Sequence, residues 1–173
     1  LKATEWSWGL AFTDVDLDGY EDLIVATGMN RDFMDSDTKQ RVADARRGTE
    51  LEDFLITRNW YPKLPTQNML FRNKGDLTFE FKSTEWGFDI ERVSGGLAQA
   101  DFDGDGDLDV IFNNHKAPLE IYHNESNAPR VAVRLVGSGK NTQAIGAKVR
   151  LIGGPGGPAP MQQEIHCGGG YAS

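Results

Sequence analysis

The sequence predicts a mainly β protein in which a four-stranded unit is repeated, with one helical insertion and a small second β region after it. Three observations lead to this prediction. An acidic loop with similar apolar flanks occurs twice, short runs rich in Val, Ile and Phe follow each copy, and helical periodicity is confined to residues 31–64. An internal repeat sets the architecture, because each copy folds as one supersecondary unit.

The more regular acidic loop covers residues 101–109 and reads DFDGDGDLD, with five carboxylates on alternate positions. Two unit charges about 4 Å apart repel each other by roughly 1 kcal/mol even in bulk water. A tight turn that gathers several carboxylates is therefore unfavourable unless a cation joins them. Ca²⁺ takes about 6–8 oxygen ligands, which carboxylates and backbone carbonyls can supply. The pattern predicts a calcium-binding loop.

The first copy covers residues 14–22 and reads DVDLDGYED. GLAFT precedes it and GLAQA precedes the second copy, while LIVA and VIFN follow the two loops. An EF-hand needs a Glu at the twelfth position of the loop and a helix on each side. Val25 and Phe112 occupy the twelfth positions, and the apolar runs around them are typical of buried strands. Each loop is therefore expected to join two strands.

We predict about two Ca²⁺ sites, one in each loop. The first is expected to use the side chains of Asp14, Asp16, Asp18 and Asp22 and the backbone carbonyl of Tyr20. The second is expected to use the side chains of Asp101, Asp103, Asp105 and Asp109 and the backbone carbonyl of Asp107. The alternative is a pair of solvated turns, since Asp and Gly are favoured in turns for local reasons.

The stretch between the loops predicts an insertion and a hairpin. Helix formers fill residues 39–47, and Thr49 with Glu52 forms a capping box for a second helix whose apolar face is Leu51, Phe54 and Leu55. This insertion either recognises a ligand or packs against the β scaffold. Strands at 68–72 and 77–81 then complete the first four-stranded unit. After the second loop, residues 119–122 predict a third strand of the next unit.

The motif Gly-Leu-Ala-x-x-Asp-x-Asp-x-Asp-Gly resembles the FG-GAP or VCBS repeat of integrin-type β-propellers. Residues 131–137, 144–151 and 168–173 are similar to the ASPIC/UnbV domain that follows such repeats in the cartilage acidic protein 1-like family. The resemblance implies calcium-stabilised propeller blades and an extracellular, cell-surface or periplasmic location. It implies no established enzymatic activity.

Two regions follow from these observations. Residues 1–126 are expected to form propeller blades, and residues 127–173 a truncated ASPIC/UnbV-like β domain with strands at 131–135, 144–151 and 161–167. A closed propeller has about 4–8 blades. We therefore expect the remaining blades to come from the rest of a larger protein or from another copy.

Composition narrows the function classes. The net charge is −8 and the basic residues form no long run, which disfavours nucleic acid as a partner. No apolar run approaches the length of a transmembrane segment. Cys167 is the one cysteine, and a nucleophilic role for it is disfavoured because the adjacent His166 would point to the opposite face of a strand.

We therefore expect a non-enzymatic, calcium-binding module that binds an extracellular protein or glycan or mediates adhesion. The alternative is a polysaccharide-acting enzyme, or its accessory domain, on a propeller scaffold. Such an enzyme needs two carboxyl groups about 5–10 Å apart across a cleft. Outside the loops the sequence shows no recognisable pair, and a pair in a pocket beside Trp60 or Trp86 would favour the alternative.

Overall fold

A computed structural model describes residues 4, 6–45, 50–131, 133–153 and 160–165. The strands in these residues are β1 (Ser7–Thr13), β2 (Asp22–Thr27), β3 (Thr66–Gln67), β4 (Met69–Asn73), β5 (Phe79–Phe81), β6 (Glu91–Arg92), β7 (Ser94–Ala100), β8 (Asp109–Asn114), β9 (Glu120–Tyr122), β10 (Lys148–Leu151) and β11 (Met161–Glu164). The helices are α1 (Ser36–Ala45), α2 (Glu50–Thr57) and a 3₁₀ turn at Arg58–Trp60.

The first sheet has the order β1-β2-β4-β5, with every neighbouring pair antiparallel. The first acidic loop connects β1 to β2, and the hairpin of β4 and β5 completes the sheet. This confirms the predicted four-stranded unit. The insertion enters between β2 and β4 without breaking their pairing, which places Leu23 opposite Phe71.

The second sheet has the order β7-β8-β9, again antiparallel, with the second acidic loop between β7 and β8. Val110 lies opposite Tyr122, which is the same relation that Leu23 has to Phe71 in the first sheet. The sequence repeat is therefore a structural repeat. The described residues form no closed propeller, and the architecture is consistent with a partial one.

A shared core joins the two sheets. Ile24 and Leu70 of the first sheet are fully buried against Phe112 of the second, and Phe88 completes the contact. The neighbouring Val25 points to the opposite face of β2, since side chains alternate along a strand. Burying a side chain of this size contributes about 1.5–3 kcal/mol. Because the buried residues come from both sheets, the core holds the sheets together and so fixes the two acidic loops relative to each other.

Gly28 directly follows β2 and lies against Arg92 and Val93, the residues that lead into β7 of the second sheet. Its φ of 113° lies in the left-handed region, and a Cβ added there would be 2.4 Å from the carbonyl oxygen of Arg92. Only glycine fits without strain. The β3–β6 ribbon, in which Thr66 pairs with Arg92, passes beside this point and was not predicted.

The insertion folds mainly on itself. An antiparallel bridge between Met29 and Leu64 closes its base, and Phe33 packs against Phe54 and Tyr61 with ring centroids 6.2 and 5.0 Å apart. α1 begins three residues before the predicted start because the Asp35 carboxylate accepts the backbone N–H of Thr38 at 2.8 Å, as an N-cap does.

The predicted apolar face of α2 does not pack as expected. Leu51, Phe54 and Leu55 are exposed by 66%, 48% and 49%, although Phe54 still contacts the ring of Phe33. The capping residue Thr49 lies outside the described residues, so the proposed box with Glu52 stays a prediction.

The region after residue 126 matches its prediction in part. No strand forms at 131 or 133–135; Val131 and Val133 are largely exposed, and no neighbouring strand pairs with this segment in the described residues. β10 and β11 lie within the predicted strands at 144–151 and 161–167, and they pair as an antiparallel ribbon in which Val149 lies opposite Gln163. The end of the predicted third strand at 166–167 lies outside the described residues, and the separate domain at 127–173 stays a prediction.

None of the helices in the described ranges has the length and apolarity needed to cross a membrane.

Candidate metal centres

The first acidic loop is ordered by its own carboxylates. The two oxygens of Asp14 accept the backbone N–H groups of Asp18 and Gly19 at 2.9 and 2.8 Å. Leu17 and Gly19 adopt positive φ angles of 56° and 98°, which turn the chain sharply. As a result, Asp14, Asp16 and Asp18 each place an oxygen within 4.8 Å of the other two. Three of the four predicted side-chain ligands of this site thus lie together.

The second loop repeats this arrangement. Asp101 accepts the backbone N–H groups of Gly104, Asp105 and Gly106 at 2.7, 3.1 and 3.0 Å. Two overlapping clusters result, each with ligand atoms within 4.8 Å of one another. Their members are Asp101, Asp103 and Asp109 in one and Asp103, Asp105 and His123 in the other. All four predicted side-chain ligands belong to at least one cluster.

The ninth carboxylate of each loop is buried and ties the loop to the third strand. Asp22 accepts the backbone N–H groups of Val15 at 3.0 Å and Asn73 at 2.8 Å. Asp109 does the same with Phe102 at 2.9 Å and Asn124 at 2.8 Å. Asp22 lies outside the first cluster. These two residues therefore brace the loops, and their predicted ligation of a metal remains to be tested.

The two residues predicted to ligate through their backbone carbonyls lie in the turns beside the clusters. The N–H of Tyr20 donates to Asp18 at 3.0 Å, and the N–H of Asp107 donates to Asp105 at 3.1 Å. Metal ligation by these carbonyls stays a prediction.

Burial raises the pKa of three of the loop carboxylates. Desolvation raises the pKa of Asp22 to about 6, against two backbone hydrogen bonds that lower it. Burial is also the main cause of the raised pKa of Asp14 and of Asp107. In each case the charged form is disfavoured by the lost hydration. A bound cation would act in the opposite direction and favour the ionised carboxylates.

Basic side chains from the third strands contact the loops, and the sequence reasoning missed them. Arg72, next to Asn73 at the end of β4, contacts Asp16 at 2.5 Å and Asp18 at 2.7 Å. His123, which follows β9, lies 2.6 Å from Asp103, and this hydrogen bond raises its pKa. The two positions are equivalent in the two sheets. The signal was an aromatic–cation–Asn pattern, FRN at 71–73 and YHN at 122–124.

Arg130 reaches the second loop from the region after residue 126. It donates to Asp107 at 3.1 Å, to Asp105 at 3.3 Å and to the carbonyl oxygen of Ser126 at 2.8 Å. This contact links the predicted second region to the blade. No pattern in the sequence pointed to Arg130, because the first loop has no equivalent residue with which the repeat could be compared.

The donor chemistry of the loops fits a hard cation. Asp16 Oδ1, which belongs to the first cluster, is buried and accepts no hydrogen bond from the described residues. A buried carboxylate oxygen without a partner is costly, and oxygen ligands are those that Ca²⁺ prefers. The residues that would hold the ion in the first loop are Asp14, Asp16 and Asp18, and those in the second are Asp101, Asp103, Asp105 and Asp109.

Residues 124–126 read Asn-Glu-Ser, which is the pattern of an N-glycosylation site, but the Asn124 side chain makes hydrogen bonds within the fold. The Asn124 amide donates to the carbonyl oxygen of Val15 at 2.9 Å, and its side-chain oxygen accepts the N–H of Ser126 at 3.1 Å. Asn124 therefore connects the second sheet to the first loop, and its amide is engaged in the fold.

Part of the chain is similar to known proteins. Residues 48–112 match the model of the FG-GAP-like repeat, a range that includes the second acidic loop and leaves the first outside. Over 74 residues, or 42% of this chain, the sequence is 36% identical to cartilage acidic protein 1 of Homo sapiens, 35% to that of Mus musculus and 32% to that of Xenopus tropicalis.

These matches span only 11–12% of the length of the curated relatives. No solved structure gives a significant match. The FG-GAP-like match does not extend to the segments that resemble an ASPIC/UnbV domain. The chain thus contains a segment that matches the FG-GAP-like repeat and has partial, low-identity homology to cartilage acidic protein 1.

Proposed function

We propose that this chain is a calcium-binding part of a β-propeller that acts outside the cytoplasm as a non-enzymatic binding or adhesion module. The observation that carries the proposal is the repeated carboxylate cluster, which has the same internal hydrogen bonds in both loops and the same brace to the third strand. A solvated turn would not require this repetition.

The role of calcium would be to neutralise the clustered charge and stiffen the connection between the first two strands of each blade. Extracellular sites bind Ca²⁺ with dissociation constants of about 10⁻⁴–10⁻³ M. Even weak sites would then be occupied in a calcium-rich compartment, and the FG-GAP-like match supports that location.

Calorimetric titration with CaCl₂ tests the metal proposal. We expect about two ions per chain, and one ion after Asp14→Asn or Asp101→Asn, because each change removes the residue that orders one loop. Asp76→Asn is the matched control, since Asp76 lies in the outer β4–β5 turn and caps Thr78 rather than a cluster. Absence of calcium binding by the unmodified chain would refute the proposal.

One observation favours the alternative enzymatic function. A cavity of about 630 Å³ between the sheets is lined by Trp86 and Tyr122, with Asp16 and Glu125 at its polar side. Asp16 already contacts Arg72, which weakens its case as a catalytic acid or base. Release of reducing sugars from polysaccharides that disappears in Glu125→Gln, with unchanged calcium binding, would establish this alternative in place of the non-enzymatic one.

A further inference from the structure

A basic pocket lies at the end of the sheets opposite the acidic loops. β2 leaves the first loop at Asp22 and reaches the insertion after Thr27, and β8 leaves the second loop at Asp109 and ends at Asn114. Six residues of strand span about 20 Å. The residues that follow these strands therefore lie well away from the proposed calcium sites.

The cavity between the insertion and the start of the second sheet has a volume of about 690 Å³. Its lining among the described residues includes five cationic side chains and one carboxylate, in a chain whose net charge is −8. The cationic residues are Arg31, Arg58, Lys63, Arg92 and Lys116. Such a concentration of one sign against the overall charge focuses the local field towards anions.

Most of this positive charge has no acidic partner among the residues that the structure describes. Arg31 is held by two neutral acceptors, the carbonyl oxygen of Tyr61 at 2.9 Å and Asn59 Oδ1 at 3.3 Å. Arg92 has an acidic partner, Glu120, at 2.9 Å. Within the described ranges no ion pair involves the remaining three cations. Arg31 is thus pre-oriented with its charge uncompensated, which suits recognition of a carboxylate or sulfate.

The pocket also has an apolar side. Phe33 is fixed between Phe54 and Tyr61, and both phenylalanines line the cavity. Its volume lies within the range of about 300–1,000 Å³ that is usual for organic ligands and exceeds what a single ion needs. The matching ligand has a ring-sized, partly apolar frame that carries several anionic groups.

We propose that this pocket binds an acidic carbohydrate through its carboxylate or sulfate groups, with a sugar face against the phenylalanines. The inference deepens the proposed binding function by naming a ligand class, but the pocket shares no residue with the calcium loops. A test in the presence of chelator therefore separates a failure of this inference from a failure of the calcium proposal.

The experiment is calorimetric titration of the full chain, in chelator, with a heparin-derived hexasaccharide and with a trigalacturonate, which separate sulfate from carboxylate as the recognised group. The double variant Arg58→Ala/Lys116→Ala should weaken binding by about tenfold or more, because it removes two cations that would make charge-assisted contacts with the ligand. Lys148→Ala/Arg150→Ala is the matched control, because it removes the same charge from exposed positions on β10 and should leave the affinity unchanged.

Several outcomes would overturn the proposal. These are absence of binding to both saccharides, an equal loss in the two double variants, binding of inorganic sulfate as tight as that of the hexasaccharide, or tighter binding of an oligoglutamate peptide than of either saccharide. Circular dichroism of both double variants identifies any loss caused by misfolding. If the pocket double variant fails to fold, Lys63→Ala with Lys148→Ala as its control repeats the comparison.

Discussion

Asn73 donates its backbone N–H to Oδ1 of the buried Asp22 at 2.8 Å, and this bond fastens the third strand of the first sheet to the end of the first acidic loop. Asn124 and Asp109 form the same bond at 2.8 Å in the second sheet. The ninth carboxylate of each loop therefore stabilises the fold even when no cation is bound. Among the described residues, the carboxylates earlier in the loops accept no backbone N–H from the third strands.

This division of roles predicts different effects of two substitutions in the second loop. Asp109→Ala should destabilise the protein even in chelator, by roughly 2–5 kcal/mol, because it leaves two backbone donors without their acceptor at about 1–3 kcal/mol each. Asp103→Ala should destabilise it in calcium and change little in chelator, since Asp103 is exposed. Urea unfolding in both conditions measures this. Equal losses for Asp103→Ala in calcium and chelator would remove the metal explanation.

The pKa of Asp22 predicts a pH dependence with a definite sign. Its folded-state pKa of about 6 lies above the unfolded value of 3.8. In metal-free protein, this group therefore contributes stability that is complete below pH 3.8 and is lost as the pH rises through 6. The difference in unfolding free energy between the original chain and Asp22→Asn should follow this course between pH 4 and 7.5. A difference that is constant with pH would contradict the assignment.

Calcium binding should show the opposite pH trend at the same group. A cation favours the ionised carboxylate, so the affinity of the first loop should fall as the pH drops below 6. Calorimetry at pH 5 and pH 7 on Asp101→Asn, which leaves only the first site, measures this. An unchanged affinity would mean that neither Asp14 nor Asp22, whose pKa values are both raised, has to ionise for the ion to bind.

Arg72 should stabilise the metal-free protein and weaken calcium binding at the first loop. Its guanidinium contacts two carboxylates of the first cluster, Asp16 and Asp18, and so supplies positive charge where the ion would bind. Arg72→Met should lower stability in chelator and strengthen calcium binding at the first loop. The rise in melting temperature on adding calcium should become larger than in the original chain. Lys74→Met, on the adjacent turn, is the control, and a smaller rise in Arg72→Met would contradict this account.

The insertion should be removable without loss of calcium. Its ends are adjacent, because Met29 and Leu64 exchange backbone hydrogen bonds at 2.9 and 3.2 Å. Replacing residues 31–64 by a short Gly-Ser linker should leave about two calcium ions bound and abolish binding of acidic saccharides. Loss of both calcium sites would show that the two sheets need the insertion in order to fold, and would contradict this prediction.

Local patterns in the sequence were sufficient to predict the two repeated antiparallel sheets and most members of the carboxylate clusters. The nine-residue loops with matched flanks specify strand, turn and strand, and Ile24, Ala26 and Phe112 are buried as the apolar runs indicate. Asp22 could be counted as a ligand from spacing alone, but spacing does not show that it accepts N–H groups from another strand. That role depends on the pairing of β2 with β4, which brings Asn73 to it across 51 residues.

Long-range contacts account for what the sequence did not show. His123 looked isolated because Asp103 is 20 residues away in the chain and is brought close only by the second sheet. The alternation of Val131 and Val133 indicated a strand, but no neighbouring strand pairs with it in the described residues. The basic pocket was missed for a similar reason, since its cations come from four separate segments of a chain that is acidic overall.

The most direct test of the calcium proposal is a thermal melt of the chain with CaCl₂ and with chelator, alongside Asp14→Asn/Asp101→Asn. Saturation of two sites at about 100 times their dissociation constants should raise the melting temperature by on the order of 10–20 °C in a chain of this size. The double variant should show almost no rise, and MgCl₂ should not replace CaCl₂. Equal melting temperatures of the original chain in calcium and in chelator would mean that the acidic loops are turns without a metal.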